Sequence, residues 1–498
     1  MTDKQHALVN RISSSSLFIY YVDALLNRIS LNTEVECEIP LPLSLNNLTE
    51  CQMEGRKIGK LFVSNNEIAK GSNGTTVYEG IYDDRKVAVK RLVKAHQDVA
   101  IKEINNLKAS DLHLNVVRYY GVEDDEDFVY LALERCNCSL YDLIQIYESS
   151  KKVGWSDVQV VTALENYKIS KDLIDALWRP NGYPSPIMIK ILRDIVSGLV
   201  HLHELGFIHR DLKPHNVLIV KDKSLCVKLS DMGISRRLVG EMLSLGDHAT
   251  VSGSSGWKAP EQLLSGRQTQ SMDMFSLGCV LFYCITCGKH PFGGEPHERD
   301  FKVSKNKVNL ILLKQIPEAT DLITKLLNPD SKLRPKASEV LHHPLFWNAE
   351  TRMSFLREAS DRVEMEAKSH NSSNSVLLKA LEKRASKTLG GSWDKKVDAD
   401  LITNLEKYRK YKYNSVKDLL RAIRNTLSHY KELPIAIQGV LGGTSPEGVD
   451  GYFAINFPKF LMKIYKDMYS HCKEENWFRR VLRRSLVYYY YYYISQVS

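Results

Sequence analysis

Ile208-His209-Arg210-Asp211-Leu212-Lys213-Pro214-His215-Asn216 gathers an acid, a lysine, an amide and an arginine just after the largely apolar, helix-like run from Ile195 to Leu205. Such a density of reactive groups in a loop points to catalysis. Phosphoryl transfer asks for a carboxylate beside the attacking hydroxyl, a cation near the moving phosphate and an oxygen ligand for Mg2+. Asp211, Lys213 and Asn216 supply these three. One loop is thin evidence, so the other parts of such a site must stand elsewhere in a fixed order.

Working upstream, residues 1 to 57 are Ser- and Asn-containing with weak periodicity and read as an extension with little fixed structure. From Leu61 a β-branched, Gly-punctuated pattern predicts a twisted sheet. Lys70-Gly71-Ser72-Asn73-Gly74-Thr75-Thr76-Val77 is a Gly-rich turn, in which Gly71 and Gly74 let backbone amides approach phosphates. Val87-Ala88-Val89-Lys90 follows as an apolar strand ending in a single cation. Asp98 to Leu107 reads as a helix with Glu103 placed to pair with Lys90 and hold it on the nucleotide phosphates, the plainer alternative being a surface salt bridge. Asp127 to Glu134 reads as a strand leading into a hinge, where the main chain of Glu134 and Cys136 would meet the adenine. Residues 146 to 185 are longer and more polar than this plan needs and read as an inserted loop.

Downstream, Val217 to Val220 and Cys226 to Leu229 read as short strands, with Asp231 next as a further Mg2+ ligand. A loop then runs to Ala259-Pro260-Glu261, carrying Ser244, Thr250, Ser252, Ser254 and Ser255, with Arg236 and Arg237 near its start. A phosphate added there could be gripped by Arg210 or those arginines and order the loop, although Ser-rich loops are often simply flexible. Asp273 and Arg334 fit buried tethers behind the site, Arg334 pairing with Glu261.

In this order, over residues 59 to about 347, the pieces resemble a protein kinase with ATP and Mg2+ as ligands. Three positions depart from the usual pattern. Ala69 replaces the first glycine of the phosphate loop, Thr76 stands where an apolar side chain packs on adenine, with Val77 beside it able to take over, and Met232 replaces the usual Phe after Asp231.

The chain does not stop there. From 351 to 498 there are 26 Lys and Arg against 16 Asp and Glu, a net +10, so against the overall +9 the rest of the chain is about neutral. A basic module attached to a neutral one points to a polyanion partner, RNA or DNA first, against the bland reading of a soluble basic surface. Lys407 to Lys431 carries eight cations interleaved with Tyr408, Tyr411 and Tyr413. In Val416 to His429, the residues Leu419, Leu420, Ile423 and Leu427 form a helical core stripe, with Arg421, Arg424, Asn425 and Ser428 opposite. Asn425 and His429 are four apart and share a face if the helix continues. That face holds parts for metal-independent RNA cleavage: His429 to donate or accept a proton, Arg424 and Asn425 to hold phosphate oxygens, and Tyr411 close upstream. A plain basic helix with a surface histidine is an equally open reading of the residues alone.

A kinase pattern followed by Asp394, Tyr411-Lys412, Asp418-Leu419-Leu420-Arg421-Ala422, Arg424-Asn425, His429-Tyr430 and Glu432-Leu433-Pro434 resembles the inositol-requiring-enzyme family, the kinase and endoribonuclease of the unfolded-protein response, and more distantly ribonuclease L. The resemblance covers residues 59 to about 482. It implies a nuclease site of Tyr411, Arg424, Asn425 and His429, with His429 the general acid and Tyr411 the base or its aid. It also implies back-to-back homodimers or higher oligomers, trans-autophosphorylation after Asp231, cleavage of stem-loop mRNA, and action at the cytoplasmic face of the endoplasmic reticulum membrane. Tyr413, where the family has a small residue, and Ser428, in place of the first of two histidines, depart from the pattern. The family's lumenal sensor and membrane span are missing from these residues, which reads as a sensorless form or an incomplete gene product.

Nine cysteines form no disulfide pattern, and Cys284-Ile285-Thr286-Cys287 has no second pair at zinc-site distance, so they read as core thiols of a reducing compartment. Leu17 to Val22 is too short to span a bilayer, and the chain reads as cytoplasmic. The expected architecture is α+β: a bilobal protein kinase fold over 58–347, an all-α nuclease domain over 348–482, and a tail over 483–498 whose Tyr488 to Tyr493 run reads as disordered and aggregation-prone. Two other functions stay open: a nucleotide-binding module that promotes dimers, or a Ser/Thr kinase with an inert extension.

Overall fold

The computed structural model describes residues 54–71, 74–94, 97–110, 113–179, 182–222, 225–233, 235–237, 253–264, 266–369 and 374–484. Residues 1–53 of the extension expected over 1–57, the loop positions Ser244, Thr250 and Ser252, and the Tyr488 to Tyr493 run lie outside them.

Six antiparallel strands open the described chain: β1 (Gly55–Ile58), β2 (Leu61–Lys70), β3 (Thr76–Tyr82), β4 (Arg85–Val93), β5 (Tyr119–Asp124) and β6 (Phe128–Glu134). Their order in the sheet is β1-β2-β3-β4-β6-β5. β1 corrects the expected extension, since Gly55 pairs with Ser64 and Ile58 with Leu61. A four-residue strand with three exposed positions leaves too little alternation to read from sequence. Cross-strand partners share a face, so the register sorts the side chains. Leu61, Val63, Val87, Val89, Tyr130 and Ala132 form a small core on one face. Val77 lies opposite Lys90, and Glu79 opposite Ala88, on the other. The helix expected over 98–107 runs from Gln97 to Ser110 against this sheet.

The following lobe is helical around Pro186–Glu204 and Ser271–Ile285. The first starts cleanly because Ser185 accepts the Met188 N–H and proline occupies the first turn. The second is buried along almost its whole length, matching a sequence that is apolar all round. The segment 146–185, expected as an inserted loop, is corrected by the structure. It continues the helix Leu140–Val153 and adds Val158–Tyr167 and Lys171–Asp175. Ile146, Val160, Ile169, Ile174 and Trp178 belong to the same core as the long helices, and the Trp178 indole N–H donates to the Cys284 carbonyl at 3.0 Å. Its polar outer face masked a narrow buried stripe, and Asp157 and Ser170, which look like loop residues, are helix N-caps.

A second core begins at Trp347, one residue before the expected boundary. Trp347 meets Phe355 and Tyr465 edge-on at 5.1 and 5.6 Å between ring centres. Around it pack helices that include Ala349–Lys368, Val416–Ser428 and Phe460–Cys472, with Trp393 fully buried. No strand is found among the described residues after Trp347. The two cores join through Asp321, whose carboxylate takes His343 at 3.1 Å, Lys325 at 2.7 Å and, from the second core, Lys466 at 2.5 Å. The seven cysteines among the described residues are free thiols, Cys284 fully buried and Cys287 partly so. No helix among those residues is long and apolar enough to cross a membrane.

Candidate active sites

The first site forms between the sheet and the helical lobe. Lys90 Nζ lies 2.6 and 2.9 Å from the two oxygens of Glu103 and 2.9 Å from Asp231 Oδ1. Burial alone would lower the Lys90 ammonium, but the Glu103 and Asp231 carboxylates override it and hold the lysine charged. Lys90 in turn draws the Asp231 carboxyl down to about 2, against the opposing effect of burial. Glu103 is pushed up by burial, only partly offset by Lys90.

The catalytic loop is fixed from behind by Asp273, which accepts the N–H groups of His209 and Arg210 at 2.8 Å each and the His203 ring at 2.9 Å. Arg210 and Asp231 both adopt positive φ, 72° and 63°, a strained conformation for non-glycine residues that these tethers sustain. Asp211 Oδ2 takes Lys213 Nζ at 2.8 Å and the Asn216 amide at 3.0 Å. Asn216 therefore turns its amide nitrogen inward, leaving its oxygen for a cation. Asp231 and Asn216 are hard oxygen donors of the kind Mg2+ takes from a protein while phosphates and water fill its other positions, so the residues fit that ion. Arg334 forks onto Glu261 at 2.6 and 2.9 Å, as expected from the sequence.

The departures from the kinase pattern resolve by register. Thr76 is buried on the Arg91 side, whereas Val77 shares the Lys90 face, and Ala69 pairs with Val77 on the same face. Val77 therefore stands where an apolar contact to adenine belongs. Met232 is fully buried, with its carbonyl taken by the Asn106 amide at 3.1 Å. Gly74 has φ +73°, which favours glycine, and Gly71 N–H closes the turn onto Thr75 O at 2.8 Å. At the hinge, the Glu134 carboxylate is bound by Lys228 at 2.8 Å, and the Cys136 thiol, pushed up to about 12 by burial, bonds the Glu134 carbonyl at 3.7 Å. Sequence reasoning grouped Ser254 with the modifiable loop serines and missed its place. Its N–H donates to Asp211 Oδ1 at 2.7 Å and its hydroxyl bonds Lys213.

The second site lies at the C-terminal end of the helix Val416–Ser428. Ser415 caps its start. The helix ends one residue before His429, yet the His429 N–H still reaches the Asn425 carbonyl at 3.0 Å, keeping the i to i+4 turn. Asn425 donates from its amide nitrogen to the Tyr411 hydroxyl at 2.9 Å, and its amide oxygen accepts Arg424 Nε and Nη2 at 3.3 and 3.2 Å. Arg424 also pairs with Asp361 at 2.8 Å, and His429 Nδ1 lies 2.9 Å from Glu432, with the histidine side chain 61% exposed. Arg421, expected on the open side with Arg424, is instead buried between Asp418 and Glu364. Asp418 at the same time accepts the Lys412 N–H at 2.7 Å, so this ion chain holds the loop bearing Tyr411. Tyr411 packs against Trp393, while the Tyr413 hydroxyl bonds Glu406, which pushes it up to about 12. Asp361 and Glu364 were not found from sequence, because they come from Ala349–Lys368, some sixty residues upstream, with no local motif.

A cleft with the charged groups of phosphoryl transfer, followed in the same chain by a helical, basic site with an exposed imidazole, is the arrangement of a protein kinase domain joined to a ribonuclease-type domain. The protein kinase domain model matches residues 62–346, and the ribonuclease 2-5A model matches 352–482. The chain is 56% identical over 452 residues to serine/threonine-protein kinase/endoribonuclease IRE1a of Arabidopsis thaliana, covering 89% of this chain and 53% of that protein. It is 50% identical to IRE1 of Oryza sativa subsp. japonica over 86% of this chain and 45% of that one. It is 41% identical to the inactive serine/threonine-protein kinase/endoribonuclease IRE1-like of Arabidopsis thaliana, over 88% of this chain and 81% of that relative. The chain belongs to the IRE1 family, that of the inositol-requiring enzymes, and spans about half the length of the first two relatives.

Proposed function

We propose that this chain is both a Ser/Thr protein kinase that phosphorylates a second copy of itself and an endoribonuclease that cuts stem-loop RNA, acting as a homodimer in the unfolded-protein response at the endoplasmic reticulum membrane. The observation that carries the nuclease half is the set Tyr411, Asn425 and Arg424, joined by side-chain hydrogen bonds, with His429 one turn on, its main-chain N–H on the Asn425 carbonyl and its side chain open to solvent.

In the kinase cleft, Asp211 receives the hydroxyl proton of the acceptor, Lys213 neutralises charge on the transferred phosphoryl group, and Lys90 holds the nucleotide phosphates against Glu103. Mg2+ supplied with ATP would be held by Asp231 and Asn216. In the nuclease site the RNA supplies its own nucleophile. The ribose 2′-hydroxyl gives its proton to the Tyr411 oxygen in its deprotonated form or to a water that Tyr411 orients, its oxygen bonds the adjacent phosphorus, and the bond to the 5′-oxygen breaks as protonated His429 gives that oxygen a proton. Arg424 and Asn425 hold the phosphate oxygens while charge builds on them. Single-stranded loops suit the site because their backbone and bases are accessible.

A second reading, a nucleotide-binding module without transferase activity, is favoured by the long match to a relative called inactive. Against it stand Lys90, Asp211, Asn216 and Asp231, all present and connected. Purified chain in Mg-ATP and a hairpin RNA separate the two. Autophosphorylation is expected, to be lost in Asp211→Asn, and RNA cleavage is expected to fall about 10²–10⁴-fold in His429→Ala. Nucleotide binding without any phosphate transfer selects the module, and unchanged cleavage in His429→Ala removes that residue from the mechanism.

A further inference from the structure

Lys90 and Arg91 are neighbours on β4 and leave the sheet on opposite faces. Lys90 serves the nucleotide cleft. Arg91 lines a cavity of about 370 Å³, whose walls include Arg56, Ser64, Tyr78, Phe128 and Tyr130. Its guanidinium lies between two rings, 4.4 Å from the centre of Phe128 and 5.1 Å from that of Tyr78. Stacking of this kind positions the cation without using its in-plane N–H donors. The Arg91 Nε is buried with no hydrogen-bond partner, and among the described residues no carboxylate pairs with the group.

The nearby acid is already engaged. Asp125 accepts the Tyr130 hydroxyl at 2.8 Å and the N–H groups of Phe128 and Asp127 at 2.8 and 3.0 Å, and it pairs with Arg56 at 3.0 Å. Arg56 is thereby held at the rim with more than half of its side chain in solvent. An unpaired, pre-positioned guanidinium with a second one at the mouth and a serine hydroxyl in the wall makes a receptor for a small, highly charged anion. The volume is at the low end for ligand pockets and fits one such group with a small organic body.

We propose that this cavity binds a phosphomonoester, its oxygens taking the Arg91 fork with Arg56 closing over them. A phosphomonoester matches better than a carboxylate because it brings about −1.5 to −2 charges and three acceptor oxygens to two cations. The ligand comes either free or on a phosphorylated side chain, and the titration separates the sources.

Full-length chain saturated with Mg-ADP, which occupies the cleft phosphates, is titrated with inorganic phosphate and with O-phosphoserine by calorimetry. One saturable site is expected, weakened about tenfold or more in Arg91→Gln, weakened less in Arg56→Gln, and unaffected by Arg424→Ala in the nuclease site. Tighter binding of O-phosphoserine assigns a phosphorylated side chain as the ligand, and equal binding assigns the free anion. If Arg91→Gln does not fold, Asn65→Asp, which sets a carboxylate at an exposed lining position of the same cavity, must weaken binding in its place. Absence of a saturable site, loss in Arg424→Ala, or wild-type affinity in the cavity variants overturns the proposal.

Discussion

At the residue scale, a shift of one position along β3 decides which side chain faces the cleft. The motif spacing assigns that place to Thr76, but the pairing of Val77 with Lys90 puts Val77 on the cleft face. Val77→Ala removes two methyl groups from the cleft face and is expected to weaken ATP binding roughly tenfold while leaving the transfer rate nearly unchanged, whereas Thr76→Val leaves ATP binding as it is. Nucleotide titrations of both variants check this. Lys90, Glu103, Asp211, Asn216 and Asp231 were legible in the sequence because phosphoryl transfer needs those groups in that order. Ser254 was not, since a serine in a Ser-rich loop carries no sign that its backbone will fold onto Asp211.

At the scale of elements, long apolar patterns were readable and amphipathic ones with thin buried stripes were not. Ser271–Ile285 is apolar along almost its whole length, but the helices within 146–185 read as loop because Val158–Tyr167 and Lys171–Asp175 each bury a single residue, Val160 and Ile174. Arg421 was misplaced for a related reason: helical phase puts it beside Arg424, and only the partner helix Ala349–Lys368, with Glu364, draws it inward. Arg421→Met strands the buried carboxylates and is expected to cost about 3–5 kcal/mol of stability, and to slow RNA cleavage through the Tyr411 loop, as read by denaturant unfolding and single-turnover assays. His113 marks another packed contact, stacked on His201 at 4.6 Å. Burial first, then His201 and Lys228, lower its imidazole from 6.5 to about 3. A depressed group of this kind adds stability above its unfolded value that is lost as pH falls from 6.5 toward 3. Stability is therefore expected to drop by roughly 2–3 kcal/mol between pH 7 and 4.5 from this residue, and His113→Asn to flatten that slope in pH-dependent urea unfolding.

At the scale of the whole described chain, two hydrophobic cores meet at Trp347 and at Asp321, where residues of both contribute. The kinase pattern ends in sequence near Trp347, but packing gives that tryptophan to the following helical core, which ties the kinase region to the helices after it. Trp347→Ala is expected to remove about 3–5 kcal/mol and to split a single calorimetric transition into two, while one unbroken transition in the variant would show that the cores are coupled elsewhere.

The proposed nuclease centre is tested most directly by the ends of the RNA it would cut. A labelled hairpin RNA is incubated with the wild-type chain and with Asn425→Ala, and the fragment termini are analysed. Wild type is expected to leave 2′,3′-cyclic phosphate on the upstream fragment and 5′-hydroxyl on the downstream one, and the variant almost no product. Fragments ending in 3′-hydroxyl and 5′-phosphate, or equal cleavage by Asn425→Ala, would contradict the proposed centre.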